Sequence, residues 1–220
     1  MLVGGKESSK SSRVPAREDT WRPPLMSNVR RSMSVSEHIE YDVQFMREYF
    51  RQLFVFAEAA GAKTLVPELT EGGTSAAFLS TGVSHLVRPD MVCNIYSLVD
   101  YWLANLCKHY QQRGRLSVTF DDFRKTESKS NDLQRYRKYL TKVASLDLTL
   151  AQNSFRHLIA LREVRNCLVH SGGHVPEKKR QVIAQIPGIE LHMSLVVVSE
   201  SFIWESLAHA SQYLQTVAQA

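Results

Sequence analysis

The chain is 220 residues long, 44% hydrophobic and 22% charged, values that suit one folded domain and exclude a fibrous or globally disordered class. Its 27 Lys and Arg outweigh 22 Asp and Glu by +5, with a pI near 9.2, yet residues 1–34 alone hold seven cations and three acids, a net of +4. The +1 left for the body excludes a broad, sequence-independent grip on duplex DNA, which needs many phosphate-neutralising cations.

Residues 1–34 are rich in Gly, Ser, Pro and Arg and offer too little apolar surface to offset their ordering entropy, so a flexible basic tail is predicted, followed by a folded domain over 35–220. Glu7, Glu18 and Asp19 weigh against a transit peptide. Ser34 and Glu37 have capping-box spacing, and Ile39, Val43, Met46, Phe50, Leu53, Phe54 and Ala57 keep a helical period, predicting a long helix that ends near Gly61. Residues 62–88, which include Gly72-Gly73-Thr74, lack periodicity and predict a loop or short helix. That Gly pair lacks the Lys and preceding strand of a phosphate loop, so it is read as a turn.

Pro89 suits the first turn of a second helix carrying Met91, Ile95, Leu98, Val99, Trp102, Leu103 and Leu106, with Asp100 beside this seam and a stop before Gly114. An extended piece over 116–120 and a charged stretch over 121–129 follow. The next helix is predicted near 131–145, with Leu133, Tyr136 and Leu140 inward and Arg135, Arg137, Lys138 and Lys142 solvated. A further helix over 148–170 closes at Ser171-Gly172-Gly173, where glycine takes a left-handed cap. Residues 181–186 and 189–198 read as a small hairpin joined at Pro187-Gly188, and a last helix runs over 199–218. The expected fold class is all-α with a small β-hairpin before the C-terminal helix.

Cys93, Cys107 and Cys167 are odd in number and lack C-x-x-C spacing, so they read as thiols in a reducing compartment. No apolar run approaches the roughly 18 residues of a membrane span and no signal core opens the chain, which makes a soluble, cytoplasmic location the expectation.

The helix over 148–170 carries the chemistry. On an ideal helix Arg165, Asn166 and His170 project into the same wide arc as Phe155, Leu158, Ile159, Leu161, Leu168 and Val169, whereas Glu163 and Cys167 project toward water. Burying a guanidinium and an imidazole without partners costs several kcal/mol, so a partner group, a second subunit or a ligand must satisfy them. One solution pairs Arg165 with Asp100 and lets His170 cap the helix end, giving a plain helical interaction protein with a buried ion pair. His170 and His174 have metal-like spacing, but with no nearby Cys or acid neither a metal nor any other cofactor is expected. Cys167 is read as a surface thiol.

The run Leu161-Arg162-Glu163-Val164-Arg165-Asn166-Cys167-Leu168-Val169-His170, followed by Gly172-Gly173 near the end of an all-helical domain, resembles the HEPN superfamily, whose signature is Arg, a polar residue often Asn, a few mostly apolar residues, then His. The resemblance implies a HEPN-like helical bundle, and a metal-independent endoribonuclease that cleaves RNA through attack of its own 2′-hydroxyl. It assigns catalysis to Arg165, Asn166 and His170, with Asp100 and Arg162 as supporting residues. It further implies a homodimer with a composite active site, a role as toxin or defence effector, and a neutralising antitoxin or nucleotidyltransferase as partner. The alternative within the family is a non-catalytic dimer that binds nucleotide, RNA or a partner protein. Arg165 and His170 lie about 140° apart on an ideal helix, which argues that two subunits complete each other's site.

Overall fold

The computed structural model describes residues 33–62 and 87–220. The tail predicted over 1–34 lies, up to residue 32, outside the described residues, as does most of the segment predicted as a loop or short helix over 62–88.

Local chemistry sets the helix starts. Before α1 (Val35–Ala62), the Ser34 backbone N–H donates to Glu37 Oε2 at 2.6 Å and the Glu37 N–H donates to Ser34 Oγ at 3.3 Å, which closes the predicted capping box. α2 (Arg88–Gly114) opens on Pro89 and ends where Arg115 turns left-handed at φ 48° and the Leu116 N–H reaches back to the Gln111 carbonyl at 3.0 Å. α3 (Phe120–Thr126) forms within the segment read as extended and charged. Thr119 caps it, Asp121 and Asp122 fill its first turn, Arg124 and Lys125 fill its last, and that order suits the helix dipole. Phe120 stacks on Tyr136 at 4.5 Å, so this short helix is held by packing. α4 (Asp132–Lys142) has a second capping box between Asn131 and Gln134 and turns Leu133, Tyr136, Tyr139 and Leu140 inward.

α5 (Gln152–Ser171) ends at Gly172, whose φ of 56° is the left-handed cap expected there. A 3₁₀ turn (Glu177–Lys179) leads into α6 (Arg180–Ala184), which corrects the strand expected over 181–186. Ile183 and Ile186, three apart, bury together on one side of the turn while Val182 is 59% exposed, a helical rather than an alternating pattern. The hairpin consists of β1 (Ile189–His192) and β2 (Leu195–Val198), antiparallel with Ile189 opposite Val198 and His192 opposite Leu195. Its turn is Met193-Ser194, both at positive φ as a two-residue hairpin requires, and Pro187-Gly188 instead joins α6 to β1. The Val196 N–H donates to the Gly173 carbonyl at 2.9 Å and the Val175 N–H to the Ser194 carbonyl at 2.8 Å, so the strand pair is stitched to the chain leaving α5.

α7 (Glu200–Gln219), capped by Ser199, packs against α1, α2 and α5, while α2 also packs against α4 and α5. Phe202, Ile203, Leu207, Ala210, Tyr213, Leu214 and Val217 are buried along α7 at spacings of three and four. At about 25 cal/mol per Å² of apolar surface, each large side chain in this row contributes roughly 1.5–3 kcal/mol. Between α5 and α7 the contact is polar. His157 Nε2 lies 2.9 Å from Ser206 Oγ, its ring stacks on His209 at 4.4 Å, and Ser154 Oγ donates to Gln212 Oε1 at 2.8 Å. The fold is all-α with a small hairpin before the last helix, and among the described residues there are seven α-helices and this single two-stranded sheet. No described helix is long and apolar enough to cross a membrane.

Candidate functional site

The buried line of α5 runs Phe155, Leu158, Leu161, Val164 and Cys167, each three residues after the last. Three residues fall short of a full turn by about 60°, so this line winds around the helix as it ascends. Its neighbours change accordingly. The first turns meet α7 through Ser154 and His157, the later turns meet α2 through Arg165 and Tyr96, and beside the last turn Gly173 lies against Leu195 of β2. At the level of the motif the core therefore lies toward Val164 and Cys167. This corrects the reading that Arg165, Asn166 and His170 share the buried side. Arg165 and Asn166 are half-buried and His170 is exposed. It also corrects two neighbours: Cys167, expected to face water, is 3% exposed, and Val169, counted with the core, is 48% exposed.

The three motif side chains meet within one chain. Arg165 Nη1 donates to Asn166 Oδ1 at 3.3 Å and lies 3.4 Å from His170 Nε2. The angular separation of about 140° was expected to keep Arg165 and His170 apart, but the long guanidinium arm sweeps across the gap to the helix end, so no second subunit is needed to unite them. The guanidinium carbon also sits 5.4 Å from the centre of the Tyr96 ring on α2, a cation–π contact that holds the arm in place. Among the described residues Arg165 Nε and Nη2 have no hydrogen-bond partner, which leaves donors free for an incoming anion.

Arg165 and Asp100 form no ion pair. Both line a groove of about 430 Å³ between α2 and α5, together with Tyr96, Tyr101, Asn105 and Lys108. Burial first, and then the Asp100 carboxylate, push the Tyr136 hydroxyl well above the usual tyrosine range. Arg162 pairs with Glu163 at 2.8 Å, and Glu163 also holds Lys179 at 2.6 Å, so Arg162 is bound to its own network and touches none of the three motif side chains. On the far side of the motif a recess of about 240 Å³ is lined by Asn166, His170, Ser171, Pro176 and Lys179. The helix end is capped by backbone, the Gly173 N–H donating to the Cys167 carbonyl at 3.0 Å, and the His170 ring is not used for that purpose. His174 Nδ1 lies 3.3 Å from Ser194 Oγ, and among the described residues no group of three His, Cys, Asp or Glu is placed to hold a metal ion.

Two participants were missed in the sequence. Tyr96 was passed over because its neighbours Ile95 and Leu98 drew it into the apolar seam, and Lys179 because the segment before α6 was read as loop and strand. Periodicity offers a signal for the first: Tyr96 and Asp100 are one helical turn apart and share an edge of α2.

Fold and site together define a class: an all-α domain in which an Arg-Asn-His cluster stands at the solvent end of an otherwise buried helix, flanked by two grooves. No family model, curated protein or solved structure matches the chain.

Proposed function

We propose that the chain is a metal-independent endoribonuclease of the HEPN type, acting as a toxin or defence effector. The observation that carries the reading is the 3.4 Å approach of Arg165 Nη1 to His170 Nε2 at an exposed helix end, with Asn166 bonded to the same guanidinium nitrogen. Imidazole exchanges protons near neutral pH, and a guanidinium with unused donors neutralises charge that grows on a phosphate. In the proposed reaction the 2′-oxygen of RNA attacks the adjacent phosphorus, the P–O5′ bond breaks, one proton leaves the 2′-hydroxyl and one is delivered to the departing 5′-oxygen. The products are a 2′,3′-cyclic phosphate and a 5′-hydroxyl. His170 carries one of these protons, Arg165 holds the non-bridging oxygens, and Asn166 orients the guanidinium.

The cluster has one imidazole and the reaction moves two protons. A homodimer in which a second copy's motif helix faces the same cleft supplies the other, so a two-fold assembly belongs to the proposal. A neutralising antitoxin or nucleotidyltransferase partner and a cytoplasmic location belong to it as well.

The test is cleavage of labelled RNA in the presence of EDTA. The wild-type chain leaves 2′,3′-cyclic phosphate ends, and His170→Ala, an exposed position where the fold tolerates change, lowers the rate by about 10²- to 10⁴-fold. An unchanged rate in His170→Ala refutes the assignment.

A further inference from the structure

We propose that the groove between α2 and α5 is a track for single-stranded RNA, in which an unpaired base stacks on Tyr101 and the flanking phosphates meet Arg165 and Lys108. The choice of RNA over DNA rests on the ribonuclease reading; the single-stranded character rests on the groove itself.

The groove has an order along α2. At one end Arg165 lies over Tyr96, in the middle stand Asp100 and Tyr101, then comes Asn105, and Lys108 closes the other end. From Tyr96 to Lys108 the helix rises about 18 Å, enough for a few nucleotides of extended strand. The two ends are cationic and have capacity to spare. Lys108 is exposed and makes no ion pair or hydrogen bond among the described residues, and two of the three nitrogens of the Arg165 guanidinium are unpartnered.

The middle is built for a base and against a phosphate. Tyr101 is 59% exposed, and its ring makes an edge contact with Trp102 at 5.4 Å, so an aromatic surface is offered to solvent beside the groove. Asp100, a neighbouring acceptor, repels a phosphate at this level and accepts the amino or imino N–H of a base edge. Asn105 spends its amide donor on the Tyr101 carbonyl at 3.0 Å and keeps its oxygen free as a second acceptor. A cation, a platform ringed by acceptors and a second cation match phosphate, base and phosphate along one strand. In duplex RNA the base face and its pairing edge are both occupied, which excludes it from this track.

The experiment measures fluorescence anisotropy of a short labelled single-stranded RNA, the matched duplex and single-stranded DNA of the same sequence, with the full chain carrying His170→Ala so that the probe survives. Tyr101→Ala weakens single-stranded RNA binding by about five-fold to a hundred-fold, Tyr101→Phe retains it, and Lys108→Ala lowers the slope of log affinity against log salt by about 0.7. Tyr101 and Lys108 are surface positions, and an unchanged thermal melt verifies that each variant is folded. Equal binding of duplex and single strand, or unchanged binding in both Tyr101→Ala and Lys108→Ala, overturns the track. A Tyr101→Ala variant that keeps RNA binding but sediments differently identifies the groove as a protein interface and also overturns it. If His170→Ala cleaves as wild type while Tyr101→Ala loses binding, the ribonuclease reading falls and the track stands; if His170→Ala is inactive while Tyr101→Ala and Lys108→Ala both bind normally, the reverse holds.

Discussion

Acidification is expected to loosen the α5–α7 contact through His157. Its ring lies between α5 and α7 against Phe202 and His209, and its Nε2 is hydrogen-bonded to the fully buried Ser206 hydroxyl at 2.9 Å. Burial, and then the neighbouring His209, push its pKa from the ordinary 6.5 down to about 4. Above pH 6.5 the ring is neutral in both folded and unfolded chains and the full stability is present. As pH falls below 6.5 the unfolded chain takes up a proton that the folded chain refuses, so stability drops until the folded ring also protonates near pH 4. At about 1.36 kcal/mol per pH unit the complete effect would be about 3.4 kcal/mol. The ring is only partly buried, and solvent screening reduces this to about 2 kcal/mol, or roughly 4–8 °C in Tm for a domain of this size. The assay is urea unfolding at about pH 7, 6, 5 and 4.5 for the wild type and for His157→Gln, whose amide carries both a donor and an acceptor for Ser206. Carboxylates titrate alike in both proteins, so the difference between the two curves isolates the imidazole. Parallel curves across this range refute the reasoning.

Gly188→Ala is expected to cost about 2–5 kcal/mol by urea unfolding, because φ is 76° and the added Cβ would come within 2.6 Å of Ser199 Oγ and 2.9 Å of Phe202 Cβ. Gly172→Ala, also at positive φ but with nothing within 4 Å of the added carbon, costs only about 1–2 kcal/mol, and equal losses at the two sites contradict this account. Thiol labelling followed by peptide mapping finds Cys93 modified first: burial raises the pKa of all three thiols, but Cys93 is only half-buried whereas Cys107 and Cys167 are hidden from reagent. Early modification of Cys167 in the native protein counts against the buried line of α5.

The sequence carried the elements better than it carried their facing. The Ser34–Glu37 box, Pro89, Gly172 and the apolar rows of α1, α2 and α7 are local signals, and each marks a feature found in the structure. The helical turn at Ile183 and Ile186 was missed because five residues are too few to separate a period of two from one of 3.6. At the site, Arg165, Asn166 and His170 do come together, but the route to them was flawed. Projecting all of α5 onto one wheel assumes a single buried direction, whereas α7, α2 and the hairpin cover it from successive sides, so averaging mixed directions that belong to different heights. The winding of that stripe is a tertiary fact, set by which neighbours arrive where, and no window on α5 alone contains it.

Ser36 and Gln215 are hydrogen-bonded across 179 residues of sequence, and Tyr110 donates to the Val217 carbonyl at 2.6 Å. The helix that completes the interior of the domain is thus the one farthest from the start of the chain. Among the described residues, Phe202, Leu207 and Tyr213 of α7 cover the inner faces of α1, α2 and α5, so those faces stay uncovered until α7 is made. A chain truncated before α7 would expose those faces to chaperones and proteases, and the Arg165–His170 cluster sits on a helix that leans on α7. The placement of the Arg165–His170 cluster thus depends on a helix that is contributed after it in the chain.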